Sequence, residues 1–321
     1  MTRAVIARAP TRLDFGGGWT DVPPYPEREG GAVCNIAISR YATASAREQP
    51  GGAPRDTNSL ISAAIRRSAV ANAAVELASD YPIGAGLGGS SAAGVALAGA
   101  LAAVAGEPLD AHALALRSRD TEVSEMDVPG GYQDHFAAAF GGALLLTFDA
   151  AATVKRIAIR ADTRAAIARR GILVYTGESR ISGDTIVAVR DAYLAGERRV
   201  VAALARMKAL AVEMAAALER DDIDELAALV GEHWVHQRAL HPKISTPLID
   251  EISRIAHAAG CLGLKALGAS GGGCVLALAR DGEEDRLAAA LAPFGQRLSY
   301  AIDQGGFEII ASLASARAVH Q

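Results

Sequence analysis

Apolar residues recur along this chain with two periods, and the change of period divides it. Up to about residue 150 they come in short runs closed by glycine-rich turns: AVIARA (4–9), AVCNIAI (32–38), AVELASD (74–80) and ALLLTF (143–148). Runs of that length and spacing predict strands. Further on, the spacing becomes helical over about 184–219, 222–239 and 246–259, framed by the strand-like GILVYT (171–176) and CVLALA (274–279). Asp162, Asp222 and Thr246 are expected N-caps, because a short side-chain oxygen can accept an otherwise unpaired backbone N–H there. Strands and helices mix without regular alternation. The pattern therefore predicts an α+β fold, divided near residue 150 into domains 1–150 and 151–321, rather than a doubly wound parallel sheet.

With 321 residues, half of them hydrophobic, the chain can bury a large core. A net charge of −4 argues against a generally basic surface. The densest cationic spots, Arg66-Arg67 and Arg198-Arg199, lie in helical patterns and read as solvated faces. No nucleic-acid or membrane partner is expected, since the longest weakly polar run, 92–106, is too short to span a bilayer. Cys34, Cys261 and Cys274 show no C-x-x-C spacing or disulfide framework. With no apolar leader in MTRAVIARAP, a cytoplasmic location is expected. Monomer and homodimer stay equally open.

PIGAGLGGSSAAG (82–94) reads as a glycine loop entering an alanine-rich helix. Gly84, Gly86 and Gly89 satisfy G-x-G-x-x-G, which would suit a dinucleotide, but that fold needs an acid ending a second strand about 20 residues on. The available acids, Glu107 and Asp110, lie in AGEPLDAH, a turn and helix start. A P-loop needs lysine after the last glycine, and here Ser90 follows Gly89. What survives is a general phosphate cradle: close backbone approach at glycines, free N–H groups at a helix start, and hydroxyls in reach of a phosphate-bound Mg²⁺. An ordinary glycine turn capped by Ser90 or Ser91 is the plain alternative.

Three segments together resemble the GHMP small-molecule kinase superfamily: PIGAGLGGSSAAG as its phosphate loop, APTRLDFGGGWTD (9–21) as its N-terminal substrate motif, and GASGGG (268–273) as its C-terminal glycine motif. They occur in order over nearly the whole chain. GGGWTDVPPYP (16–26) and GGYQDHFAAAFGG (130–142) are similar to the subgroup of L-fucokinase and D-glycero-D-manno-heptose 7-phosphate kinase. The resemblance implies a two-domain α+β kinase fold with the active site in the cleft between the halves. It implies an ATP- and Mg²⁺-dependent sugar or sugar-phosphate kinase, acting on the anomeric hydroxyl of a heptose 7-phosphate or fucose-like sugar. A non-catalytic sugar and nucleotide sensor on the same fold and a Rossmann oxidoreductase are the rival readings.

Carried over residue by residue, the resemblance makes Asp134 the catalytic base and Arg12 its basic neighbour. Asp21 becomes the sugar-binding acid, with Gly17 and Gly18 allowing close backbone approach. Trp19 either packs on the sugar or plugs the core. Gly84, Gly86, Leu87, Gly88, Gly89, Ser90 and Ser91, with Gly271 and Gly272, line the nucleotide side. Ser90 and Glu122 form the metal pair, since Mg²⁺ prefers hard oxygens, and Glu125 is the rival ligand. Ser270 stands where the family motif has glycine, which puts the path of that loop in question. Lys265 either approaches the substrate or snorkels from a strand. Ser179-Arg180 either touch a substrate phosphate or cap a helix. His233, His236 and His241 lack the H-E-x-x-H arrangement and read as a polar helix face.

Overall fold

The apolar runs of the first half sit inside longer strands. The computed structural model describes residues 3–49, 59–126, 130–149, 151–177 and 183–314. In chain order the strands are β1 (Arg3–Gly16), β2 (Gly31–Glu48), β3 (Ala73–Ser79), β4 (Ala143–Phe148), β5 (Ala152–Ile157), β6 (Gly171–Tyr175), β7 (Cys261–Ala266), β8 (Cys274–Ala279), β9 (Gln296–Arg297) and β10 (Glu308–Ala314). The helices are α1 (Tyr25–Glu29), α2 (Leu60–Arg66), α3 (Gly89–Ala105), α4 (Ala111–Asp120), α5 (Gln133–Phe140), α6 (Ala161–Arg170), α7 (Gly183–Leu194), α8 (Arg198–Glu219), α9 (Ile223–Leu240), α10 (Pro247–Ala258) and α11 (Glu284–Leu291). A π-helical turn, Thr121–Glu125, continues α4.

One sheet has the order β10-β1-β2-β4-β5, with β3 also paired to β2; the other has the order β7-β8-β6-β9. Every strand pair among the described residues is antiparallel. That removes the oxidoreductase alternative, because a dinucleotide fold requires parallel strands joined through helices. Asp110 instead caps α4, accepting the N–H of Ala113 at 2.8 Å. The first sheet draws on the far end of the chain, since β5 and β10 lie beyond residue 150 and β10 returns to pair with β1.

Period-two alternation assigns each strand's two faces to different cores. In β2, Cys34, Ile36 and Ile38 face the central core shared with α8, α9 and the second sheet, while Val33 faces α3 and α5. In β8, Cys274, Leu276 and Leu278 join the central core, and Val275, Ala277 and Ala279 pack toward α10 and α11. The unbroken apolar run of β8 thus reflects burial on both faces. α3 is buried almost all round, which explains its alanine and glycine content: it packs across β1 and β2.

Two local expectations change. The apolar stretch 184–219 is two helices, because Gly196 takes a left-handed φ of 71° and closes α7, with the Glu197 N–H returning to the Ala192 carbonyl at 3.0 Å. Asp162 is not an N-cap. Arg160 occupies that position and Asp162 lies in the first turn, where its charge suits the positive helix end. Asp222 and Thr246 do cap α9 and α10.

Candidate active site

β3 leads through residues 80–88 into α3. Left-handed backbone falls on Gly84, Gly86 and Gly88 (φ 72°, 74° and 72°), so the third conformationally required glycine is Gly88. Gly89 is small for another reason: the Tyr81 ring fills the space of its absent Cβ. A Cβ at Gly86 would lie 2.6 Å from the Leu267 carbonyl oxygen, and one at Gly88 would lie 3.0 Å from Asp134 Cγ. The loop is therefore held between the turn after β7 and Asp134. No side chain caps α3, which leaves the first-turn amides without intrahelical partners at the positive end of the helix. Leu87 contributes its backbone only, since its side chain is buried in the central core.

β1 has register shifts after Pro10 and after Asp14, which bracket Arg12 and Asp14. Arg12 is buried, and its Nε and Nη2 both meet Asp134 Oδ1 at 2.7 Å. Its Nη1 donates to the Gly86 carbonyl at 2.6 Å, and its backbone N–H donates to the Leu87 carbonyl at 3.1 Å. One guanidinium thus fixes the phosphate-type loop and the carboxylate together. Its contacts fall on Oδ1, which leaves Oδ2 on the side of Gly88.

Glu122 lies in the π-helical turn. Its Oε2 accepts from the Ser91 hydroxyl at 3.3 Å and sits 3.2 Å from His135 Nε2. Burial pushes its carboxyl up, but the His135 contact and the Ser90 and Ser91 hydroxyls outweigh that and hold it below the ordinary carboxylate value. The rival ligand Glu125 is instead tied to Arg66 at 3.1 Å and Arg67 at 3.7 Å. Those two arginines are accordingly ion-paired rather than a merely solvated face.

The segment Asp14–Asp21 forms the other side of the cluster. Asp21 is buried, and its Oδ2 accepts the backbone N–H groups of Tyr132 at 2.8 Å and Gln133 at 2.9 Å, at the start of α5. Burial pushes its carboxyl up to about 6; the Gln133 and Tyr132 amides oppose this, and the charges of Asp134 and Asp14 add to it. Asp14 Oδ2 accepts from Lys265 Nζ at 2.9 Å, with both side chains out of solvent. Lys265 therefore neither snorkels nor reaches outward. Burial drives its ammonium below the usual lysine value, with Asp14 opposing.

His233 also departs from expectation. It is fully buried, and its Nε2 accepts the Gly17 N–H at 2.9 Å. Burial keeps it well below the ordinary histidine value, so the ring is neutral with its proton on Nδ1. Gly17 follows from close packing, with φ 86° and no room for a Cβ beneath the Ala32 carbonyl. A Cβ at Gly18 would lie 2.7 Å from both Asp14 Oδ2 and Gln133 Nε2. Trp19, with φ 81°, packs with Tyr25, Tyr193 and Leu204 as part of the core.

Within this cluster, buried polar atoms stand without partners: the acceptors Asp14 Oδ1, Asp21 Oδ1 and Gln133 Oε1, and the donors Trp19 Nε1 and His233 Nδ1. Buried polar groups are normally satisfied, so these atoms call for a partner from an ordered water or a ligand. The turn after β7 adjoins both sides. The N–H of Cys274, the first residue of β8, donates to the Ala85 carbonyl at 2.8 Å, and Gly271 and Gly272 lie in the turn with φ of 84° and 153°. Ser270 keeps the glycine path, taking φ 77° with its hydroxyl buried and unpaired.

Asp14, His135 and Ser118 escaped the sequence reading, and His233 was read as part of a polar helix face although it is buried against Gly17. His135 adjoins Asp134, the one signal that could have drawn notice. Ser179 and Arg180 lie outside the described residues. Among the described residues no helix is long and apolar enough to cross a membrane.

The model of the GHMP kinase N-terminal domain matches residues 58–142 and that of the C-terminal domain matches residues 214–296. The D-glycero-alpha-D-manno-heptose 7-phosphate kinase of Campylobacter jejuni is 26% identical over 300 residues, covering 84% of this chain and 88% of its own. The L-fucokinase/L-fucose-1-P guanylyltransferase of Bacteroides fragilis is 27% identical over 330 residues, covering 86% of this chain, which spans 35% of that longer relative. The crystal structure of a D-glycero-D-manno-heptose 1-phosphate kinase from Bacteroides thetaiotaomicron superposes with a TM-score of 0.74 at 21% identity, over 98% of this chain and 100% of that one. The two domain matches, together covering just over half of the sequence, and the shared fold show that this chain belongs to the GHMP kinase family.

Proposed function

We propose that the protein is an ATP- and Mg²⁺-dependent kinase that phosphorylates the anomeric hydroxyl of a sugar or sugar phosphate, of the heptose 7-phosphate or fucose-like class. The observation that carries this is the Arg12–Asp134 pair, clamped against Gly86 and Gly88 where the uncapped α3 begins. It puts a held carboxylate beside a phosphate-type cradle, with the unpaired acceptors of Asp14, Asp21 and Gln133 in the same cluster. Acceptors buried without donors suit a row of sugar hydroxyls.

In the reaction the acceptor hydroxyl oxygen forms a bond to the γ-phosphorus of ATP. The bond to the β,γ-bridging oxygen breaks, and its electron pair leaves on ADP. Asp134 Oδ2, not claimed by Arg12, takes the hydroxyl proton, while Arg12 holds the carboxylate in place and adds positive charge beside the transferring group. The amides of Gly89, Ser90 and Ser91 cradle phosphate oxygens, aided by the backbone of Gly84, Gly86, Gly271 and Gly272. Glu122, an ionised carboxylate beside two serine hydroxyls, fits a hard divalent cation, and Glu122 with Ser90 would hold Mg²⁺. Held there, the ion would supply positive charge to offset that of the triphosphate. Arg12 and Lys265 already hold carboxylates, which favours the end of the sugar that carries only hydroxyls for this part of the cluster. The buried, unpaired cysteines fit a reducing cytoplasm.

Coupled measurement of ADP release with L-fucose, D-galactose, D-mannose and free and 7-phosphorylated heptoses, with product NMR to locate the phosphate, tests this. Turnover on an aldose is expected, with Asp134→Asn lowering kcat by roughly 10²–10⁴-fold. Normal turnover in Asp134→Asn removes the role of Asp134. Binding of sugar and nucleotide with no ADP release from any of them replaces the kinase by a sensor.

A further inference from the structure

His135 follows Asp134 in α5, yet its ring meets three other elements. Nε2 lies 3.2 Å from Glu122 Oε2 in the π-helical turn and 3.3 Å from Ser91 Oγ on α3. Nδ1 lies 2.9 Å from Ser118 Oγ on α4. The imidazole is almost wholly buried. A carboxylate can only accept, so Nε2 directs a proton at Glu122, while Nδ1 is paired with the Ser118 hydroxyl. Ser118 has room there because Gly94 on α3 lacks a side chain: a Cβ at that glycine would overlap the Ser118 hydroxyl.

We propose that His135 is a positioning residue that orients Glu122 and Ser91 toward the metal–nucleotide complex and ties that orientation to the helix carrying Asp134. The proposal rests on the kinase reading. A histidine that merely filled the core would need only any two polar partners. Here Nε2 meets the carboxylate assigned to the metal and a hydroxyl at the start of α3, and Nδ1 is held by a serine that a glycine accommodates. Partners of this kind set the direction of a ligand without touching the ion, and their loss commonly weakens metal affinity about 10–100-fold. The π-helical turn fits the same role, since the wider turn sends Glu122 to His135 and Ser91 while Glu125 goes to Arg66 and Arg67.

The test is an electron paramagnetic resonance titration of Mn²⁺ into the full chain with a non-hydrolysable ATP analogue, alongside metal-free analogue affinity and thermal unfolding. His135→Phe keeps the volume and removes the donor, and is expected to weaken nucleotide-linked Mn²⁺ binding about 10–100-fold with metal-free analogue affinity unchanged. His135→Gln restores a donor and should recover most of that loss. Ser118→Ala, which removes only the hydroxyl holding Nδ1, should weaken binding to a smaller degree and carries the test if the phenylalanine variant does not fold. Wild-type Mn²⁺ affinity in His135→Phe or, where that variant does not fold, in Ser118→Ala overturns the proposal. So does an equal loss in His135→Phe and His135→Gln, which would make the role one of packing. A wild-type protein with no nucleotide-linked Mn²⁺ binding overturns the kinase reading along with it.

Discussion

Around Gly84–Ser91 the polar groups are mainly backbone amides at one helix start, whereas around Asp14–Asp21 they are side chains drawn from β1, α5, α9 and β7. The first region is made by neighbours in sequence and needs glycine, because bulk would collide with Leu267 or Asp134. The second is made by residues far apart, and it buries ionisable groups: Asp14 with Lys265, Asp21 against two amides, and His233 as a neutral ring. Backbone recognises what all phosphates share. Side chains discriminate among hydroxyl patterns, and they carry the cost of desolvation before a ligand arrives.

The largest expected effect lies on the side-chain region. Lys265→Met leaves Asp14 charged and buried without its partner, and should lower unfolding stability by about 3–5 kcal/mol in a urea titration. Adding Asp14→Asn should return much of that loss, and a double variant no more stable than the single one would show that the pair is not the source. Asp21 comes next. Its folded carboxyl stands at about 6 against an ordinary 3.8, so the fold favours the protonated form. Stability from this group is then fully present below 3.8 and declines as pH rises through about 6, by about 3 kcal/mol. Asp21→Asn should flatten that slope. A sugar hydroxyl donating to Oδ1 favours the carboxylate, so sugar affinity should rise through the same window in the wild type; an unchanged slope in the variant removes this assignment.

The smallest effect tests the backbone region. Gly88→Ala asks a residue with a Cβ to hold a φ of 72° beside Asp134, at a cost of about 1–2 kcal/mol. Turnover should fall by about tenfold with sugar affinity retained, as measured by steady-state kinetics with each substrate varied in turn. Lost sugar binding with intact nucleotide binding would erase the contrast between the two regions.

Much of the fold was legible because its signals are local. The short apolar runs placed β4, β6 and β8, the caps Asp222 and Thr246 opened α9 and α10, and the missing acid-bearing strand after Gly89 argued against a dinucleotide fold. Local signals also misled: Gly196 hid inside an amphipathic stretch, and Asp162 sat two residues past the true cap. Nothing nearby in sequence showed that β10 would return to β1.

Of the candidate site, the sequence by itself determined the order of loops and the residue types: a glycine run before a helix, a carboxylate after a Gly-Gly turn, another on the helix before it. Those are contiguous patterns whose physics is settled within a few residues. Only the tertiary structure decided the partners. Asp14 reaches Lys265, Gly17 reaches His233, and Glu122 meets His135, whereas the Arg12–Asp134 contact is one that the resemblance had already implied. Each of these contacts joins different elements, most of them far apart in sequence. Burial then fixed which charges had to pair, and no local pattern carries that information.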